Sequence, residues 1–164
     1  MQSSPLQCTL MVRKFSPAGH GRRAQKPKKN YCFACGKDNP GGLHLKFYLG
    51  PDGQHFVSCF RLSKRYTGPP GHCHGGIIAT VLDDAMSKLN KLRDVIAATS
   101  KMSVEYLRPV PLHQTLFVRS HDIAKRGRLL TRMAEISDEK GVVLARSRGV
   151  FVILDAKHVF HQKR

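Results

Sequence analysis

The sequence predicts an α+β domain in which one long central helix is wrapped by a curved antiparallel sheet, in the order β-β-α-β-β-β-β. Three observations carry that prediction. Residues 77–92 repeat Ile78, Leu82, Ala85 and Leu89 at helical spacing. From Ala97 the period changes to two, with Met102, Val104 and Tyr106 alternating with Lys101, Ser103 and Glu105. The helix is also apolar over more than half its circumference (Ile77, Ile78, Val81, Leu82, Ala85, Met86, Leu89), wider than a surface helix requires. A sheet that curls around such a helix buries it on most sides.

The elements follow in order. Residues 43–49 and 55–62 are rich in aromatic and aliphatic side chains and are divided by Gly50-Pro51-Asp52-Gly53, so they read as a β-hairpin. The breakers Thr67-Gly68-Pro69-Pro70-Gly71 come next, and His74-Gly75-Gly76 opens the helix. The alternating strand that starts at Ala97 stops at Arg108-Pro109-Val110-Pro111, because proline cannot donate to a ladder. Three further strands, 115–123, 128–137 and 141–154, are separated by turns at Lys125-Arg126-Gly127 and Asp138-Glu139-Lys140-Gly141.

With 164 residues the chain is long enough for one sizeable core plus tails, a domain over 31–156 flanked by a basic tail at 1–30 and a short tail at 157–164. The first 30 residues hold seven cations and no acid, rich in Ser, Pro and Gly, and bury too little to offset the entropy of ordering; disorder is expected there. An acid-free, Arg-containing start also resembles an organellar transit peptide, although a solvated tail is the simpler reading. No run approaches the roughly 18 apolar residues of a membrane-spanning helix, and the longest apolar stretch of the tail is too short for a signal peptide. A cytoplasmic protein without a membrane span is expected. The 28 Lys and Arg against 11 Asp and Glu, a net +17, predict attraction to anions, whether nucleic acid, acidic surfaces or phosphorylated cofactors.

Five cysteines without an export signal fit reduced thiols better than a disulfide framework. Cys32-Phe-Ala-Cys35 has the spacing of half a zinc site. A tetrahedral site needs two more ligands, and His72 with Cys73 or His74 lies nearly forty residues further on. The two thiols therefore read as small apolar groups in a turn, and no metal or other cofactor is expected.

The narrow polar strip left on the helix holds Gly76, Thr80, Asp83, Ser87 and Asn90, and a polar strip on a buried helix needs a reason. Three segments supply one: Cys32-Phe-Ala-Cys-Gly-Lys-Asp-Asn-Pro-Gly-Gly-Leu-His-Leu45, His74-Gly-Gly-Ile-Ile-Ala-Thr-Val-Leu-Asp83 and Tyr106-Leu-Arg-Pro-Val-Pro111. Together they resemble the hotdog-fold acyl-CoA thioesterases of the phenylacetate-pathway (PaaI-like) type, over about residues 31–154. The resemblance implies a homodimer or homotetramer with sites at subunit interfaces, and an exposed sheet edge gives a separate reason to expect a second copy.

It also implies roles. Asp83 matches the catalytic carboxylate, as general base or nucleophile. The Gly76 backbone N–H would meet the thioester oxygen at the helix start, where the helix dipole favours negative charge, with Gly75 beside it in the substrate site. His74 would orient the thioester or the turn. Thr99 falls where some relatives place a threonine beside the carboxylate. Lys125, Arg126 and Arg128 form a basic turn where family members commonly contact the nucleotide end of coenzyme A, and a guanidinium fork matches phosphate. Asp84, four residues before Lys88, reads as an exposed helix pair. His72 and Cys73 depart from the family pattern, which has an aliphatic residue before the histidine. A non-catalytic module binding acyl-CoA, or nucleic acid through the basic tail, is the alternative; the third reading, an enoyl-CoA hydratase, lacks that branch's Asp-x-x-x-x-His signature.

Overall fold

The computed structural model describes residues 29–155, so the expected tails lie outside the described residues apart from Lys29 and Asn30. Six strands form a single antiparallel sheet: β1 (Tyr48–Leu49), β2 (His55–Phe60), β3 (Ala97–Tyr106), β4 (Leu116–Arg126), β5 (Leu129–Asp138) and β6 (Val143–Ile153). Their order in the sheet is β1-β2-β4-β5-β6-β3. One main helix, α1 (Gly75–Ser87), lies on it and is followed by the single turn α2 (Asn90–Arg93). No helix among the described residues is long and apolar enough to cross a membrane.

β4, β5 and β6 form the expected meander, and Gly127 (φ 57°) and Gly141 (φ 81°) supply the left-handed residues its tight turns need. β3 does not join it. It pairs with β6 at the far edge, and the link from β3 to β4 runs back past the start of α1. Pro109 and Pro111 lack the donors for a hairpin, and the linker instead ties to the helix entry: Cys73 N–H donates to Val110 O (2.8 Å) and His113 N–H to Leu62 O (2.8 Å).

Two expected elements are shorter than the pattern suggested. Of residues 43–49 only Tyr48 and Leu49 pair with β2. His44 turns left-handed (φ 53°), and Leu43 and Leu45 give their N–H groups to Phe33 O and Ala34 O, so the segment clasps the Cys32–Cys35 loop instead. The helix, expected to reach residue 92, stops at Ser87. The sheet captures its last carbonyls: Ser120 Oγ donates to Ala85 O (2.6 Å) and Arg132 to Met86 O (3.1 Å). At the other turn the basic run splits, with Lys125 and Arg126 ending β4 and Arg128 in the turn.

The core matches the predicted helix face. Ile78, Val81, Leu82, Ala85, Met86 and Leu89 are buried, and only Ile77 of the predicted set is half-buried. All of the buried ones but Leu89 form one core cluster with Val118, Leu130, Ile136 and Phe151, and each large side chain withdrawn from water contributes about 1.5–3 kcal/mol. Cys32, Cys35 and Cys73 are free thiols as expected, whereas Cys59 is disulfide-bonded, which corrects the reading of a fully reduced chain.

Candidate functional site

α1 starts where the extended His74 (φ −63°, ψ 135°) hands the chain to Gly75. The His74 ring Nδ1 accepts from Gly76 N–H (3.0 Å), and its carbonyl accepts from Ile77 (3.0 Å) and Ile78 (3.2 Å). His74 therefore orders the turn itself. It also engages the N–H expected of Gly76 as an oxyanion donor, while the Gly75 N–H makes no hydrogen bond among the described residues. Here the structure moves the open donor of this turn from Gly76 to Gly75.

The entry is held tightly. His74 N–H donates to Tyr66 O (2.9 Å), and a Cβ on Gly68 would meet His74 Cα at 2.7 Å. Gly68→Ala is therefore expected to displace the cap and lower stability by about 1–3 kcal/mol, measurable by urea unfolding.

Tyr106, at the end of β3, donates its hydroxyl to Gly75 O (3.1 Å). Beside them a cleft of about 400 Å³ is lined by Pro69, Cys73, Gly75, Ile78, Tyr106 and Val110 among others. Cys73 is buried there and burial pushes its thiol up to about 11, so the departure from the family pattern behaves as a small apolar wall.

At the other end of β3, the Thr99 hydroxyl donates to Asp83 Oδ1 (2.6 Å). A register shift between Thr99 and Lys101 lets Thr99 face the helix on the same side as Met102 and Val104. Asp83 is half-buried, able to meet a substrate while held by one charge-assisted hydrogen bond. Asp83 lies eight residues beyond Gly75, about 12 Å along the helix axis at 1.5 Å per residue, so one chain's carboxylate and its own Gly75 N–H do not meet one carbonyl.

Asp84 is not the surface residue expected. It is buried, with Lys88 Nζ at 3.0 Å and Cys35 Sγ at 3.5 Å from its Oδ1. The i,i+4 pairing with Lys88 was legible, but its burial under the Cys32–Cys35 loop was not. Lys125 and Arg126 are exposed, and Arg128 donates through Nε and NH2 to Ile153 O (3.1 and 2.8 Å). The register runs Lys125–Leu130–Phe151–Thr99 across four strands, which sets the basic turn at the Asp83 end of the sheet, about 14 Å from Thr99.

Residues 70–145 match the family model of the thioesterase superfamily. Over those residues the chain is similar to the thioesterase superfamily. Its architecture is the hotdog fold: the crystal structure of a thioesterase superfamily protein superposes with a TM-score of 0.71 at 25% identity, over 90% of this chain and 74% of that one. Among curated relatives, the yeast (Saccharomyces cerevisiae) uncharacterized mitochondrial membrane protein FMP10 is 27% identical over 137 residues, 80% of this chain and 56% of that protein. Acyl-coenzyme A thioesterase THEM4 of mouse (Mus musculus) is 31% identical over 116 residues, 70% of this chain and 50% of that protein. The chain thus spans about half the length of the curated relatives it matches.

Proposed function

We propose that this chain hydrolyses acyl-CoA thioesters to the free acid and coenzyme A, as a homodimer that shares its sites across the two-fold axis. The observation that carries the reading is the placement of the two half-sites on one exposed edge strand. Thr99, bonded to Asp83, stands near the start of β3, and Tyr106, bonded to Gly75, stands at its end. Antiparallel pairing of β3 with its own copy would set the Asp83 end of one protomer opposite the Gly75 end of the other. It would also cover the free edge.

In that arrangement Asp83 activates a water or attacks the thioester carbonyl. The N–H at the helix start, freed at Gly75, stabilises the developing oxyanion with the help of the helix dipole. The cleft beside Gly75 takes an apolar part of the substrate. Lys125, Arg126 and Arg128 bind phosphates of coenzyme A, and the net +17 steers a polyanion to the site. The name of the mouse relative, an acyl-coenzyme A thioesterase, favours this substrate class. Cytoplasmic placement belongs to the same proposal, with the mitochondrial compartment of the yeast relative as the competing outcome of cell fractionation.

Complementation tests the shared site. Asp83→Asn and Gly75→Val, the second placing a side chain against Tyr106, should each be inactive alone in free-thiol release from acyl-CoAs. Subunit exchange in an equimolar mixture should restore about a quarter of wild-type activity, since half the dimers are mixed and each carries one intact site. A mixture as inactive as its parents would refute sharing. The Thr99 contact has a smaller expected effect: Thr99→Val should lower kcat about 10-fold, the worth of one hydrogen bond to a charged group, with KM little changed.

A further inference from the structure

The Cys32–Cys35 loop contains chemistry that thioester hydrolysis does not use. Gly36 N–H closes the turn on Cys32 O (2.8 Å), and a Cβ at Gly36 would stand 2.5 Å from the backbone of Cys32 and Asn30, so only glycine lets the loop fold this tightly. The loop lies on α1 with Cys32 exposed and Cys35 half-buried beneath it. Under Cys35 sit the buried Asp84, whose Oδ1 is 3.5 Å from Cys35 Sγ, and Lys88, whose Nζ is 2.7 Å from the same sulfur. Asp84 Oδ2 is buried without a hydrogen-bond partner. A carboxylate left half unsatisfied beside a buried thiol has the capacity to take its proton.

We propose that Cys32 and Cys35 form a redox-active dithiol that exchanges with low-molecular-weight disulfides, with Asp84 taking the Cys35 proton and Lys88 stabilising the Cys35 thiolate. The ligand atoms of Cys32, Cys35 and Asp84 lie within 4.8 Å of one another, a spacing a metal ion would also accept. The Lys88 ammonium distinguishes the two, because it already stands against both Cys35 and Asp84 where a cation would have to be.

The reaction has two exchanges. Cys32 thiolate attacks one sulfur of the disulfide RSSR, forming a Cys32–SR mixed disulfide and expelling RS⁻. Cys35 then passes its proton to Asp84, and its thiolate attacks Cys32 Sγ, closing the Cys32–Cys35 bond and expelling the second RS⁻. Two electrons pass from the protein dithiol to RSSR, and the two thiol protons end on two RSH. The thiols divide these roles by environment. Burial pushes Cys32 up, but the N–H of Cys35, the Cys35 thiol and the N–H of Ala34 outweigh it, and the net shift is downward. Burial pushes Cys35 up to about 11 against the opposing Lys88 hydrogen bond, so it stays a thiol until called on.

The test uses the full reduced chain, equilibrated in glutathione and glutathione disulfide buffers of graded ratio, acid-quenched, alkylated and mapped by mass spectrometry. Cys32 and Cys35 should lose alkylation together, with their shared peptide lighter by two hydrogens. In Cys35→Ser the reaction should stop at a stable glutathione adduct on Cys32. In Asp84→Asn adduct formation should keep its rate while ring closure slows on the order of 100-fold and loses its pH dependence. A wild-type chain that keeps the Cys32 adduct with Cys35 unoxidised would overturn the proposal. So would stoichiometric zinc in the purified chain that shields both thiols, and closure in Asp84→Asn at the wild-type rate would overturn the role of Asp84.

Discussion

Asp83→Asn is expected to lower kcat for acyl-CoA hydrolysis by about 10³-fold while leaving the thermal unfolding midpoint unchanged. The substitution keeps the size of the side chain, and the Asn oxygen still accepts the Thr99 hydroxyl that now lies 2.6 Å from Asp83 Oδ1. The half-buried site therefore has no new cavity, and the amide N–H groups that replace the second carboxylate oxygen can be solvated. What disappears is the negative charge that the proposed mechanism uses to activate water or to form the acyl bond, and neither role survives in an amide. Asp83→Ala should be equally inactive. Steady-state kinetics with parallel thermal melts check both halves of the expectation.

Arg132→Ala is expected to cost about 3–5 kcal/mol of stability, because it removes a buried cation whose partners stay behind. The Arg132 side chain is fully buried on the helix-facing side of β5. It donates from NH1 to Met86 O (3.1 Å) and Asn90 Oδ1 (2.7 Å) and from Nε to Asp122 Oδ1 (3.0 Å), with its guanidinium 4.8 Å over the Phe151 ring. One residue thus caps the end of α1, places a cation at the negative end of the helix dipole and ties α2 to the sheet. Asp122 keeps Arg93 at 2.9 Å, but the Met86 carbonyl and the Asn90 amide lose a buried partner. Arg132→Met, close in volume and without a charge to bury, should cost less than the alanine. Urea denaturation orders the two variants, and an alanine cost below about 1 kcal/mol would contradict this role.

The elements that sequence showed best are those whose patterns are local. The apolar arc of α1 and the alternation of β3 each lie within one continuous run, so element order and core face could be read directly. Where competing partners come from far along the chain, the pattern misleads. Residues 43–47 look like a strand, but the N–H groups of Leu43 and Leu45 are claimed by the Cys32–Cys35 loop, and the helix looks five residues longer than it is because Ser120 and Arg132 take its last carbonyls.

The site divides in the same way. The spacing from His74 to Asp83 is intrinsic to one helix and was legible. The choice between Gly75 and Gly76 as the open donor depends on a rotamer of His74, and the burial of Asp84 depends on a loop about fifty residues upstream. Arg132 did leave a signal, a charge at an inward position of the alternating run Leu130-Arg132-Ala134-Ile136, which marks a buried cation with a carbonyl to satisfy.

Free-thiol release from a panel of acyl-CoAs, run on wild type and Asp83→Asn with acyl-CoA affinity measured on both, decides whether Asp83 carries out acyl-CoA hydrolysis. If it does, the wild type releases CoA continuously, the variant releases none above background, and both bind acyl-CoA equally. Equal release by both proteins, or tight acyl-CoA binding without release by either, would contradict it.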